Sequence, residues 1–232
     1  MEIQRVLASY LTGDRLSSTI TIMDKRPPIT PLNNINAVHI RFKELKVIDN
    51  HTSFISWDSP ADVYALAFAV NDVSQKTYDI STAGIFNGIK DNDDLPSVSQ
   101  LDIVRTFNNP PHFLDIHVLV LKSSQKKRDL AKSVNDALSS PEGAGFSSTL
   151  NTAISNSAAG EILHVTTSLL SHITTVISLD EDEQLFYGIL CLEDDPDDLG
   201  IGKSWVLTDN KNVRVTFEVV GKFGDKTNSL RG

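Results

Sequence analysis

The sequence predicts a mainly β protein, an antiparallel β-sandwich of seven to nine strands that carries a two- or three-helix insertion. From residue 17 to residue 121 the dominant hydrophobic period is two, as in half-buried strands. Between about 124 and 179 the period becomes helical, and after residue 185 the period of two returns. Short strands separated by turn-rich segments favour an antiparallel sandwich or barrel over a βαβ fold.

The first half of the chain predicts strands with breakers between them. Residues 18–23, 38–48 and 63–70 alternate or run continuously apolar, and residues 112–121 combine β-branched and apolar side chains as a central strand does. Breaker segments rich in proline, asparagine or aspartate lie between these runs, at residues 26–31, 50–60, 71–75 and 90–96. These segments therefore read as consecutive strands joined by loops.

The insertion reads as helices. Ser123 or Ser124 is predicted to cap the first helix, in which apolar residues recur every four positions over 130–138. A second helical pattern covers 146–158 and a third covers 162–177. The only acidic or basic residue between positions 143 and 179 is Glu161. Such weakly charged faces predict a contact surface.

The C-terminal part returns to strands at residues 185–192, 203–207 and 212–220. We therefore expect one sandwich domain over residues 1–221, with the helical insertion inside it. Residues 222–232 are polar and predict a flexible tail.

Charge and cysteine content exclude several classes. The 232 residues carry a net charge of −9, and the nine carboxylates between positions 180 and 198 equal that whole excess. Such a surface repels phosphate backbones, so we expect no nucleic-acid partner and favour cations instead. Cys191 is the single cysteine, which excludes an internal disulfide framework.

Neither a signal peptide nor a membrane span is predicted. Residues 1–16 contain four charged side chains and no long apolar stretch. Residues 162–179 lack Asp, Glu, Lys and Arg, but they include seven Ser or Thr and two His, which is too polar for a transmembrane helix. The compartment is left undetermined.

The acidic loop 193–200 predicts a calcium site. Crowded carboxylates repel one another unless a cation or solvent screens them, and Ca²⁺ takes six to eight oxygen ligands. The candidate ligands in the loop are Asp194, Asp195, Asp197 and Asp198. Companion ligands from other loops are Asp49, Asp58, Asp91, Asp93 and Asp94. The alternative is a solvated acidic loop without metal.

The loop and its flanking strands resemble part of a known family. Residues 186–192, the loop 193–200 and the strands 203–207 and 212–220 are similar to the last calcium-binding loop and final strands of C2 domains. The resemblance implies a C2-like sandwich in which aspartates at one end hold calcium and engage acidic phospholipid. It implies ligand roles for the four loop aspartates, with Asp49 and Asp58 in the partner loop. Basic side chains are absent near the loop, so membrane contact is left open.

Catalytic motifs are missing from the sequence. It contains no His-Glu-x-x-His, no second cysteine for zinc and no Gly-x-Ser-x-Gly elbow. Asp115 and His117 share one face of a predicted strand and form the best acid/base pair, with a buried structural pair as the alternative. Cys191 is predicted to pack in the core. We therefore expect a protein that is not an enzyme.

Three functions remain open at this stage. The first is a non-enzymatic binding or assembly module with a protein partner or further copies of itself, to which calcium binds through the acidic loops. The second is a structural subunit of a larger particle, filament or secretion apparatus. The third is a toxin-like protein whose helical insertion contacts a membrane.

Overall fold

A computed structural model describes residues 7–8, 17–22, 35–52, 59–73, 78–107, 109–123, 129–156, 159–178, 182–193, 198–209 and 211–224. The strands are β1 (Leu7–Ala8), β2 (Ser17–Ile22), β3 (Ile35–Val47), β4 (Ala61–Asn71), β5 (Tyr78–Thr82), β6 (Phe86–Ile89), β7 (Asp93–Asp94), β8 (Ile103–Thr106), β9 (Phe113–Ser123), β10 (Glu183–Glu193), β11 (Ser204–Thr208) and β12 (Val213–Phe223). The helices are α1 (Leu130–Ser139), α2 (Pro141–Ser155) and α3 (Ala159–Ser178).

The strands form two antiparallel sheets. The seven-stranded sheet has the order β1-β2-β11-β12-β3-β7, and β8 also pairs with β3. The five-stranded sheet has the order β10-β9-β4-β5, and β6 also pairs with β4. One hydrophobic core lies between the sheets and takes side chains from both. The predicted mainly β fold, a sandwich with three helices, is therefore confirmed.

The five-stranded sheet is buried on both faces. In β4, Ala65 and Ala67 face the other sheet, whereas Leu66 and Phe68 face the helices. This double burial explains why β4 is continuously apolar and does not alternate between apolar and polar residues. A second hydrophobic cluster joins this outer face to α1, α2 and α3.

Among the described residues, no helix combines the length and the apolar composition that a membrane span requires.

The first helix begins later than the sequence predicted. Ser123 is the last residue of β9, and Ser124 lies outside the described residues, so the predicted cap at Ser123 is wrong. The helix begins at Leu130, and the Asp129 side chain accepts a hydrogen bond from the Lys132 amide at 3.0 Å. Asp129 is the N-cap residue in place of the predicted serine, because either side chain can accept a hydrogen bond from a free backbone amide of the first turn.

Residues 141–143 lie between the helical patterns predicted over 130–138 and 146–158, and they form the first turn of α2. The Ser140 hydroxyl accepts a hydrogen bond from the Gly143 amide at 3.0 Å, and Pro141 occupies the first helical position. Proline suits this position because its missing amide has no helical partner there. The end of α1 at Ser139 agrees with the prediction.

Short strands were missed, and the last strand is longer than predicted. The twelve described strands exceed the predicted seven to nine because several of them contain five residues or fewer, among them β5, β6 and β8. Strand β12 continues to Phe223, so Lys222 belongs to the sheet and not to a tail. Residues 225–232 of the predicted tail lie outside the described residues.

Gly143 lies where α1 meets α2 and leaves no room there for a side chain. A Cβ at Gly143 would lie 2.1 Å from the carbonyl oxygen of Ala137. A Cβ at Gly145, two residues further along α2, would meet no atom within 4 Å. Gly143→Ala should lower the free energy of unfolding by about 1–3 kcal/mol, because the backbone must shift. Gly145→Ala should raise it by about 0.5–1 kcal/mol through helix propensity. Urea denaturation measures both, and equal effects would contradict this packing.

Candidate functional site

Four of the predicted calcium ligands, Asp58, Asp194, Asp195 and Asp197, lie outside the described residues. Nothing in the geometry therefore tests them. The other five predicted ligands, Asp49, Asp91, Asp93, Asp94 and Asp198, are described.

Asp49 and Asp91 meet on either side of Asn50. Asp91 Oδ1 accepts a hydrogen bond from the Asn50 amide at 2.9 Å, and Asp49 Oδ1 accepts one from the His51 amide at 2.7 Å. The Asn50 side chain is fully buried and donates to the carbonyl oxygens of Ser59 and Ile89. Both carboxylates thus already hold the turn that follows β3.

Asp93 and Asp94 lie at the same end of the sandwich. Asp93 Oδ2 accepts a hydrogen bond from the Lys90 amide at 2.9 Å. As strand β7, the two residues pair with Val47 and Lys46 at the end of β3. The structure therefore brings Asp49, Asp91, Asp93 and Asp94 to one end of the molecule.

Asp198 lies at the opposite end. Glu183, the first residue of β10, bonds His51 Nδ1 at 2.6 Å and so marks the end that holds Asp49. The last residue of β10, Glu193, is roughly 30 Å away, since an extended strand rises about 3.3 Å per residue. The short 3-10 turn Asp198–Gly200 packs against this far end, where Gly200 lies beside Leu192. Asp198 therefore cannot share one ion with Asp49 or Asp91.

No metal centre is assembled among the described residues. They contain no group of three or more His, Cys, Asp or Glu side chains arranged to hold a metal ion. Calcium binding by the acidic loop stays a prediction, because residues 194–197, the centre of that loop, lie outside the described residues.

The predicted acid/base pair is buried beneath the helices. Asp115 and His117 both face the helix layer from β9, with 8% and 1% of their surfaces exposed. Asp115 stands directly opposite Cys191 of β10, and the thiol donates a hydrogen bond to its carboxylate. Burial nevertheless raises the pKa of Asp115 to about 6.

His117 has a partner of its own. Its Nδ1 lies 2.8 Å from the Tyr187 hydroxyl, and burial lowers the pKa of His117 to about 3, so the ring is neutral at physiological pH. Burial raises the pKa of Tyr187. No described hydrogen bond joins Asp115 to His117. Each of them is instead held by a β10 side chain, as in two separate buried pairs.

A cavity of about 520 Å³ lies between β5 and the helices α1 and α2. This volume falls within the roughly 300–1,000 Å³ of typical ligand sites. Strand β5 contributes Tyr78, Asp79, Ile80 and Thr82, and the helices contribute Ala131, Val134, Asn135, Leu138, Ser147 and Asn151. We call this cavity the β5 groove.

The β5 groove runs along the edge of the sheet. Tyr78, Asp79 and Ile80 all line it, although successive side chains of a strand point to opposite faces. Tyr78 and Ile80 pack on the helix side and Asp79 pairs with Arg105 of the other sheet, so we infer that a cavity touching all three residues follows the strand edge. Strand β5 ends the order of its sheet, and none of the described strands pairs with its outer side.

The backbone groups of β5 divide between its two sides. The Ala83 amide donates to the Ala65 carbonyl oxygen of β4 at 2.9 Å. Because hydrogen-bonded and non-hydrogen-bonded pairs alternate in an antiparallel ladder, Asp79 and Ser81 also bond to β4. The N–H and C=O groups of Ile80 and Thr82 therefore point outward, along the β5 groove.

A buried arginine holds Asp79 from the face of β5 that is turned to the other sheet. Arg105 of β8 is 2% exposed, donates a hydrogen bond to the Ala69 carbonyl oxygen, and places Nη1 3.4 Å from Asp79 Oδ2. Burial lowers the pKa of Arg105 to about 10, although Asp79 opposes that shift, so the guanidinium stays charged at neutral pH. Arg105 thus links the two sheets and orients the Asp79 carboxylate.

The helix-side wall is equally well held. The Tyr78 ring stacks on Phe68 with centroids 5.1 Å apart, and its hydroxyl lies 3.0 Å from the Ser147 hydroxyl of α2. Beside it, Val134 and Leu138 of α1 supply apolar surface. The β5 groove is therefore a preformed feature with an apolar wall and an open strand edge.

No protein-family model matches the chain, and no curated protein matches it. The resemblance to C2 domains therefore stays a prediction.

Sequence reasoning missed the β5 groove. Residues 78–82 read Tyr-Asp-Ile-Ser-Thr, in which Tyr78, Ile80 and Thr82 alternate with two polar residues. Period-two alternation was the available signal, but five residues are too few to separate a strand from a loop. No sequence signal marks Arg105 as buried.

Replacing Asp115 should stabilise the fold at high pH. The raised pKa means that stability is lost as the pH rises through about 6, because burial penalises the carboxylate. Relative to the parent, Asp115→Asn should gain up to about 3 kcal/mol in unfolding free energy between pH 4 and pH 8. Denaturation across this range measures the gap. Asp94→Asn, at an exposed carboxylate, controls for the lost charge, and a pH-independent gap would contradict the burial effect.

Calcium binding can be tested against the separation of the two acidic groups. Saturation at about 100 times the dissociation constant should stabilise the protein by about 2.7 kcal/mol in a melting titration. Asp198→Asn should reduce that gain. Asp91→Ala should cost about 1–3 kcal/mol with or without calcium and leave the gain unchanged, because it removes the acceptor of the Asn50 backbone N–H. A parent protein that does not respond to calcium would contradict the metal site.

Proposed function

We propose that this protein is a non-enzymatic binding module that takes an extended segment of a partner protein into the β5 groove. The observation that supports the proposal is the position of one cavity along the open edge of β5. An added strand would gain main-chain hydrogen bonds from the outward groups of Ile80 and Thr82. Its side chains would fill the space next to Val134 and Leu138 of α1.

The shape of the groove favours an extended chain over a compact ligand. A strand edge offers donors and acceptors in a repeating row, which matches another backbone better than a small molecule. Among the described residues, the helices α1 and α2 line the groove from one face of β5. Edge strands that do not bind another strand usually carry charged residues or proline, which prevent pairing with other chains. Strand β5 has one charged residue, Asp79, and no proline.

Amide hydrogen exchange should reveal the open edge directly. In the protein alone, the amides of Asp79 and Ser81 should exchange slowly because they bond to β4. The amides of Ile80 and Thr82 should exchange much faster because they face the groove. Adding a short peptide that alternates valine and threonine should slow exchange at Ile80 and Thr82. Unchanged exchange at saturating peptide would contradict strand addition.

A proline substitution tests whether the outward amide matters. Thr82→Pro removes an N–H that the ladder with β4 does not use, so the fold should persist while the peptide binds at least about fivefold more weakly, the equivalent of one net hydrogen bond. Thr106→Pro is the matched control, since the Phe107 amide bonds to Asn36 and the Thr106 amide therefore points away from β3. Equal losses in the two variants would contradict a site at β5. Calorimetric titration gives both affinities.

A further inference from the structure

The two faces of β5 offer different chemistry to an added strand. On the helix side, Ile80 lies with Val134 and Leu138 of α1, and all three are apolar. On the opposite face stands Asp79, the only charged residue among the described residues that line the groove. A strand that enters the groove therefore meets hydrocarbon on one face and a carboxylate on the other.

Strand geometry converts this division into a pattern. A residue directly opposite Asp79 would place its Cβ about 4.5–5.5 Å from the Cβ of Asp79, on the same face. Its two sequence neighbours would point to the other face, towards Val134 and Leu138. The occupant should therefore alternate between two kinds of side chain.

The charge that a partner can reach is negative. Arg105 forms an ion pair with Asp79, but its side chain is 2% exposed and cannot contact a partner side chain. The Asp79 side chain is 32% exposed and can. The whole protein has a net charge of −9, which attracts basic segments at long range. A glutamate opposite Asp79 would be repelled, and a lysine or arginine would be attracted.

We propose that the β5 groove selects a partner segment that alternates aliphatic with basic side chains, an inference that rests on the proposed function. The aliphatic residues pack against α1, and a basic residue pairs with the exposed side of Asp79. The outward backbone of Ile80 and Thr82 supplies the affinity that does not depend on side-chain identity.

Three synthetic peptides test the selection. Each alternates valine with a second residue, which is lysine, threonine or glutamate. By calorimetry, the lysine peptide should bind about threefold to tenfold more tightly than the glutamate peptide, with threonine between them. Raising the salt concentration should shrink the difference, because part of the attraction is long-range.

A charge-neutral double variant separates the local pair from the general attraction. Asp79→Asn with Arg105→Met removes one charge of each sign, so the net charge stays at −9 and no unpaired cation is left in the core. The double variant should still bind the threonine peptide and should lose most of the preference for lysine. Retention of the full preference would show that Asp79 does not select the partner and would overturn the proposal.

A second pair of variants avoids the core. Asn135→Lys places a positive charge in the groove at an exposed position of α1, and Ser148→Lys places one at an exposed position of α2 that does not line the groove. The lysine peptide should bind at least about threefold more weakly to Asn135→Lys than to Ser148→Lys. Equal binding would count against a basic residue in the groove.

The outcomes keep this inference distinct from the proposed function. If the threonine peptide protects the Ile80 and Thr82 amides but lysine and glutamate bind alike, strand addition stands and the charge selection is wrong. If no peptide protects these amides, both fail. A concentration-dependent dimer of the protein alone that Thr82→Pro abolishes would assign the groove to a second copy and overturn the basic partner. Sedimentation velocity measures that dimer.

Discussion

Burial of the five-stranded sheet on both faces is the constraint on which the rest of the structure depends. One face meets the other sheet through small side chains such as Ala65 and Ala67, and the other meets the helices through large ones such as Phe68 and Tyr187. Without the helices, this second face would expose a large apolar surface. The insertion is therefore part of the domain core.

The same arrangement leaves β5 only half covered. Strand β5 pairs with β4 alone among the described strands, and the helices reach it from one face. Arg105 holds it from the other face through Asp79 and the Ala69 carbonyl oxygen. An edge strand that is fixed in this way keeps its outward groups in place without a neighbouring strand. Such preorganisation is what a site for strand addition needs.

The sequence predicted those elements whose burial makes a long pattern. Strands β3, β4, β9 and β12 each exceed ten residues, so their apolar runs stand out, and the fold class followed from them. Short edge strands such as β5 have patterns too brief to recognise. Contacts between neighbouring strands could not be predicted either, because the pairing of Asp115 with Cys191 depends on the register of β9 and β10, which no local pattern states. The separation of Asp49 from Asp198 likewise follows only from the direction of β10.

Helices α2 and α3 have almost no charged residues, and α2 also lines the groove. Seven serine and threonine hydroxyls donate to the carbonyl oxygen four residues earlier in their own helix: Ser147, Thr149, Thr152, Ser155, Ser168, Thr174 and Thr175. A hydroxyl that is bonded in this way keeps its donor satisfied when water leaves. Covering such a face therefore costs less than covering free donors or charges. Since Ser147 also contacts Tyr78 in the groove wall, a chain seated on β5 would lie beside a surface that is inexpensive to dehydrate.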